Sequence, residues 1–130
     1  MIISFAWTVP ALLAGRKTRT RRQWTDEYAS RFKKNMIVDA YNRSPRHGGK
    51  KVASIRLTAN PIKIPIKIMP DEDFEKEGFA YFLENPDQIP RRGLLNYGIR
   101  DPWRVFRIWR AAGGDYWIVD FEMVEVFNFD

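Results

Sequence analysis

The chain has 130 residues, 45% of them hydrophobic and 15% aromatic, a net charge of +6, one histidine and no cysteine. That length fits one domain spanning residues 1–130, able to bury a core without covalent staples. The missing cysteines exclude disulfides, thiolate zinc sites and a cysteine nucleophile, and they suit a reducing, cytoplasmic setting.

Charge is unevenly spread. Residues 16–56 hold thirteen Lys/Arg against three Asp/Glu, a balance of +10, while residues 57–130 hold nine against thirteen, a balance of −4. A one-sided positive potential of this kind favours anionic partners, nucleic acid above all. No apolar run approaches the ~20 residues of a membrane span, so no membrane partner is expected.

In chain order, "IISF" reads as a first strand, and the start of the chain as strand and short helix, not a signal peptide. "TVPALLAG" predicts a short helix capped by Thr8, with Pro10 in its first turn and Gly15 ending it in a left-handed conformation. Residues 16–22, "RKTRTRR", then form a cation-dense turn; the dipole of the preceding helix end accounts for one or two cations there, not five. "TDEYASRFKKN" reads as a second helix with Thr25 as cap and with Tyr28, Ala29 and Phe32 on one face. "MIVDAY" reads as a strand, and "NRSPRHGGKK" as a loop carrying Arg43, Arg46, Lys50 and Lys51.

"VASIRLTAN" alternates as a half-buried antiparallel strand should. "PIKIPIKI" also alternates, with Ile62, Ile64, Ile66 and Ile68 on one face; Pro65 confines it to a sheet edge. "MPDEDFEKEGFAYFLENP" opens as a helix and is interrupted at Gly78. "DQIPRRGLLNYGIR" is irregular. "DPWRVFRIWRAAGG" predicts a helix capped by Asp101, with Trp103, Phe106 and Trp109 or Arg110 facing inward, and "DYWIVDFEMVEVF" a last strand whose phase slips at Met123–Val124, as a bulge does. The predicted order is β-α-α-β-β-β-α-α-β, an α+β class with a small curved sheet or barrel flanked by short helices.

Taken together, "LLAGRKTRTRR", "GGKKVASIRL", "EKEGF" and "YWIVDFEMV" resemble the ASCH domain family of the PUA-like superfamily. The family's signature, G-x-K-x-x-[ET]-x-R, is matched at Gly15, Lys17, Thr20 and Arg22 in its threonine version. The resemblance implies a pseudo-barrel associated with RNA binding. Threonine-type members resemble amidohydrolases that remove an acyl group from modified cytidine such as N4-acetylcytidine; their Lys–Thr–Glu constellation falls here on Lys17, Thr20 and Glu77. Other members bind or cleave single-stranded RNA, which makes a ribonuclease a further alternative. The additional Arg19 and Arg21, and the loops around residues 43–51 and 88–100, favour a longer anionic ligand.

The expected site follows. Lys17, Thr20 and Glu77 are the catalytic candidates: threonine needs a base to take its proton, and a lysine serves only with a lowered pKa; the alternative is a structural Lys17–Glu77 ion pair closing the cleft, with the Thr20 hydroxyl bonding local backbone in a turn. The nucleic-acid-binding candidates are Arg16, Lys17, Arg19, Arg21, Arg22, Trp24, Arg46, Lys50 and Lys51: arginine forks match phosphate, and tryptophan stacks on bases. Trp7 and Tyr41 are further stacking candidates, with core packing the alternative for Trp7 and Trp24, whereas Trp103, Trp109 and Trp117 read as core. His47 lies alone in a basic loop and reads as surface. RNA or a nucleoside is the expected partner, with no cofactor and no metal.

Overall fold

The apolar segments pair into one mixed sheet of six strands. The computed structural model describes residues 1–127. The strands are β1 (Ile2–Ser4), β2 (Arg19–Arg22), β3 (Ile37–Tyr41), β4 (Lys51–Leu57), β5 (Ile62–Pro65) and β6 (Asp115–Val126). The helices are α1 (Val9–Leu13), α2 (Asp26–Ala29), α3 (Asp73–Lys76), α4 (Phe79–Glu84) and α5 (Pro102–Ala112). The strand order is β1-β3-β4-β6-β2, with β5 also on β6; β1 and β3 run parallel and the other pairs antiparallel. The protein is thus α+β, a curled half-barrel flanked by a few short helices. The curl brings the two outer strands of that order together: the Arg22 guanidinium at the end of β2 lies 5.4 Å from the ring centre of Phe5, just after β1.

The basic run departs from expectation. It is not a turn throughout, because Arg19–Arg22 form β2, in register from Arg19 opposite Asp120 to Arg22 opposite Trp117. Such a charged strand survives at a sheet edge because carboxylates meet its arginines. Helix α1 ends as predicted at Gly15, whose φ is +74°; Gly15 N–H donates to Leu12 O and Arg16 N–H to Ala11 O, the Schellman arrangement. Thr8 does not cap the helix. Its hydroxyl donates back to the carbonyl of Phe5 at 2.6 Å.

Two apolar clusters meet at α1. Leu12 faces the barrel interior with Phe5, Phe32, Ile55 and Phe121, while Ala11 faces the helical layer with Phe74, Phe79, Phe82 and Phe106. Pro65 ends β5, but the isoleucine alternation does not bury one face: Ile66–Ile68 is a 3-10 turn, with Ile66 buried and Ile62 and Ile68 exposed. The irregular segment before α5 is anchored by buried Ile89 and Leu94 and by a Leu94 N–H bond to Ile99 O. The bulge in β6 is at Val124, which the register skips between Met123 opposite Ile55 and Glu125 opposite Ser54.

Gly78 separates α3 from α4 at φ +97°. A Cβ there would sit 2.9 Å from the Cβ of Ala11 and 3.4 Å from that of Lys17. Gly78→Ala therefore combines left-handed strain with a clash beside the pocket, and is expected to cost about 2–5 kcal/mol in urea unfolding. A loss below about 1 kcal/mol would show that α1 and α4 yield freely.

Candidate functional site

Lys17 is directed inward by its backbone. The N–H groups of Arg16 and Lys17 both reach Ala11 O, and Thr18 N–H bonds Lys76 O at 2.9 Å. The Lys17 side chain, only 4% exposed, donates from Nζ to the carbonyl of Glu77 at 2.8 Å and to its Oε1 at 3.2 Å. Glu77, at the end of α3, is 2% exposed, and its Oε2 accepts from Arg21 Nη1 at 2.7 Å. Arg21 Nη2 lies 2.6 Å from Oδ2 of the fully buried Asp73. Asp73 also meets Arg19 Nη1 at 3.1 Å, and Arg19 Nε meets Asp120 at 2.6 Å.

This network changes what the basic run does. Its five cations are Arg16, Lys17, Arg19, Arg21 and Arg22, and five carboxylates, Asp73, Glu75, Glu77, Glu84 and Asp120, pair with the first four. Five minus five leaves the corner with no net charge. Hydrogen bonds to Glu75 and Glu84 raise the Arg16 pKa, and those to Asp120 and Asp73 that of Arg19. These arginines tie α3, α4 and β6 to β2 and to the residues just before it.

Arg22 is different. It has no carboxylate partner among the described residues. Its Nε donates to Thr20 Oγ1 at 3.2 Å, its terminal nitrogens have no protein acceptor among the described residues, and the residue lines the pocket. Burial lowers its pKa, which marks an under-compensated charge. Burial likewise lowers the Lys17 pKa, outweighing the opposing pull of Glu77.

Lys17, Thr20, Arg21, Arg22 and Glu77 line one pocket of about 170 Å³. Its apolar side comes from Phe5, Trp7, Phe79, Leu95 and Trp109. Phe5 and Trp7 are supplied by the segment after β1, Phe79 by α4 and Trp109 by α5. The site thus lies between the two cores, where the sheet's outer strands approach. The three catalytic candidates share this pocket, but Lys17 Nζ bonds Glu77 and not Thr20.

The remaining candidates are elsewhere. Arg16 points outward. Trp24 stacks on Phe32 with ring centres 4.4 Å apart and accepts from Trp117 Nε1 through its carbonyl, so it is packing and not a stacking platform at the pocket. Arg46 and Lys50 are exposed in the loop after β3, and Lys51 pairs with Asp39 at 3.0 Å. His47 is exposed in the same loop. Trp109 reads as core from its helical face, yet it walls the pocket. Neither it nor Leu95 carried a sequence signal, because both reach the site from another layer of the fold. Among the described residues no group of His, Asp or Glu could hold a metal ion, and no helix is long and apolar enough to cross a membrane.

The depressed Lys17 pKa has a measurable consequence. Its ordinary value is 10.5. Between the folded value and 10.5 the unfolded chain binds more protons than the folded one, so stability rises with pH across that interval. The cost of burying the ammonium is complete below the folded pKa and relieved above it. Wild-type unfolding free energy is therefore expected to rise relative to Lys17→Met as pH increases from neutral toward 10.5. A flat difference in denaturant titrations would contradict a depressed value.

The fold and pocket together define a half-barrel α+β protein with a small, mixed aromatic and ionic site. No family model matches the chain, and no curated protein matches it. Among solved structures the chain is similar to protein EF3133 from Enterococcus faecalis V583, of the family DUF984, with a TM-score of 0.55 and 17% identity over 96% of this chain and 74% of that one. At that identity the likeness shows the fold alone.

Proposed function

We propose that this protein is an ASCH-type, PUA-like domain that binds a single nucleobase, carried by a modified nucleoside or by an unpaired residue of single-stranded RNA. The observation that carries this reading is the pairing of an aromatic wall, Trp7, Phe79 and Trp109, with a polar wall, Lys17, Thr20, Arg22 and Glu77, in about 170 Å³. Pockets for drug-sized ligands run to roughly 300–1,000 Å³, so this one suits a smaller planar ring. Unpaired bases are recognised by stacking on aromatic groups and by hydrogen bonds to their edges. The cancelled charge of residues 16–22 supports a neutral, acceptor-bearing ring over a phosphate, with Arg22 as the open donor.

Intrinsic fluorescence tests this, since two tryptophans line the pocket. Titration with cytidine, N4-acetylcytidine and the other ribonucleosides is expected to quench emission saturably for at least one, and Trp7→Phe/Trp109→Phe is expected to remove most of that signal. No saturable response to any nucleoside would reject the reading.

A second reading, an amidohydrolase on acylated cytidine, draws on the Arg22 hydrogen bond to Thr20 Oγ1, which stabilises a developing alkoxide, and on the lowered Lys17 pKa. Thr20 Oγ would bond to the acyl carbon, the carbon–nitrogen bond would break, and the threonine proton would pass by way of Lys17 to the leaving amine; water would then free the acid. Lys17 must leave the Glu77 carbonyl to do so. Chromatography after incubation with N4-acetylcytidine decides it: cytidine and acetate in equal amounts support it, and unchanged substrate rejects it.

A further inference from the structure

We propose that the loop between β3 and β4, residues 42–50, grips the phosphodiester backbone of a single strand whose unpaired base enters the pocket. This deepens the base-binding reading and rests on it. The cations of residues 16–22 are occupied by carboxylates, so a strand's phosphates need other partners.

The parallel pairing of β1 and β3 puts their C-terminal ends at the same end of the sheet, with Ser4 opposite Tyr41. Phe5 N–H donates to Tyr41 O at 2.9 Å. Ser4 and Phe5 line the pocket, so the loop departs from the pocket's rim. At its base, Asn42 N–H bonds Lys50 O at 3.1 Å, and Lys50 N–H bonds Asn42 Oδ1 at 2.8 Å. Within it, Gly49 N–H bonds Ser44 O, and a Cβ on Gly49 would fall 1.8 Å from Arg43 O. The backbone turns too tightly there for any residue but glycine. A loop backbone braced in this way is already ordered, which spares that part of the entropic cost of binding.

Those side chains are positive. No acidic residue occurs in residues 40–70. Arg43, Arg46 and Lys50 are exposed and form no ion pair among the described residues, unlike neighbouring Lys51. The competing surface is Arg91 and Arg92, in the segment that supplies Leu95. There Arg100 is committed to the carbonyls of Pro90, Pro86 and Ile89, and among the described residues no hydrogen bond links that segment to the β1 rim.

The test is fluorescence anisotropy with labelled RNA and DNA octamers across a salt series, using Arg43→Gln/Arg46→Gln/Lys50→Gln and, as a comparison, Arg91→Gln/Arg92→Gln. Each phosphate contact on a single strand contributes about 0.7 to the slope of log affinity against log salt, so three contribute about 2, or about 20-fold in affinity between 50 and 200 mM salt. The loop variant is expected to lose that slope while nucleoside quenching stays unchanged. The comparison variant is expected to keep it. Should the triple variant unfold, Arg46→Gln/Lys50→Gln is expected to lose about 1.4 of the slope. Loss with RNA and DNA alike supports a grip on phosphate. An unchanged slope in the loop variants overturns the proposal, as does a slope lost only in Arg91→Gln/Arg92→Gln, or no binding of either octamer. Nucleoside quenching is scored separately: if it persists while the loop slope is unchanged, base binding stands and the loop assignment falls.

Discussion

Glu77→Gln is expected to be the most damaging of the single substitutions argued from this site. Glu77 is 2% exposed and faces two cations that are themselves almost fully buried, Lys17 and Arg21. Glutamine keeps the shape and removes the charge, so Lys17 loses its carboxylate and Arg21 keeps only Asp73, in a place water barely reaches. Breaking a buried pair by deleting one partner typically costs about 3–5 kcal/mol, because the orphaned charge stays desolvated. For a chain of this size that lowers Tm by roughly 10–20 °C. Lys17→Met is expected to cost less, since Glu77 keeps Arg21 and a costly buried ammonium disappears. The double variant Lys17→Met/Glu77→Gln is expected to fall short of the sum, because the two side chains share one interaction. Denaturant unfolding of the three variants checks this. A Glu77→Gln loss below about 1 kcal/mol, or simple additivity, would mean that water screens the pair.

Arg22→Met is expected to do the reverse, sparing stability and weakening ligand binding. Arg22 has no carboxylate to orphan among the described residues, and its removal relieves a burial-stressed charge beside Phe5. Stability is expected to change by less than about 1 kcal/mol. Binding depends on Arg22 if its open nitrogens read an acceptor on the base. Hydrogen bonds involving a charged partner contribute about 1.5–3 kcal/mol, or about 10- to 150-fold in affinity. Arg22→Lys keeps the charge but loses the planar fork and the Nε bond to Thr20, so it is expected to restore only part of the affinity. Full nucleoside affinity in Arg22→Met would remove this residue from the recognition account.

The features legible in the sequence are those decided locally. Gly15 ends α1, Pro65 ends an edge strand, Gly78 splits the acidic helix, and Asp101 caps α5 by accepting from the N–H groups of Trp103 and Arg104. Each depends on one residue's backbone freedom or one side chain within a turn. Strand β2 was not legible, because "RTRR" has no apolar alternation; Asp73 and Asp120 make it a strand from far along the chain. For the same reason a run that reads as a phosphate clamp is an internal ion network. Nothing in "PDEDFEKE" singles out Asp73 as the carboxylate buried between two arginines. Lys17, Thr20 and Glu77 were grouped in advance only through the resemblance to the ASCH family, whereas Trp109 and Leu95, which complete the pocket, come from segments that carry no motif.

The most direct measurement is a crystal structure of the protein soaked with the nucleoside that gives the strongest fluorescence response. The base is expected between β1 and β2, its ring against Trp7, Phe79 or Trp109 and an acceptor within hydrogen-bond distance of an Arg22 terminal nitrogen. A base bound outside this pocket, or an Arg22 turned away from it, would contradict the account.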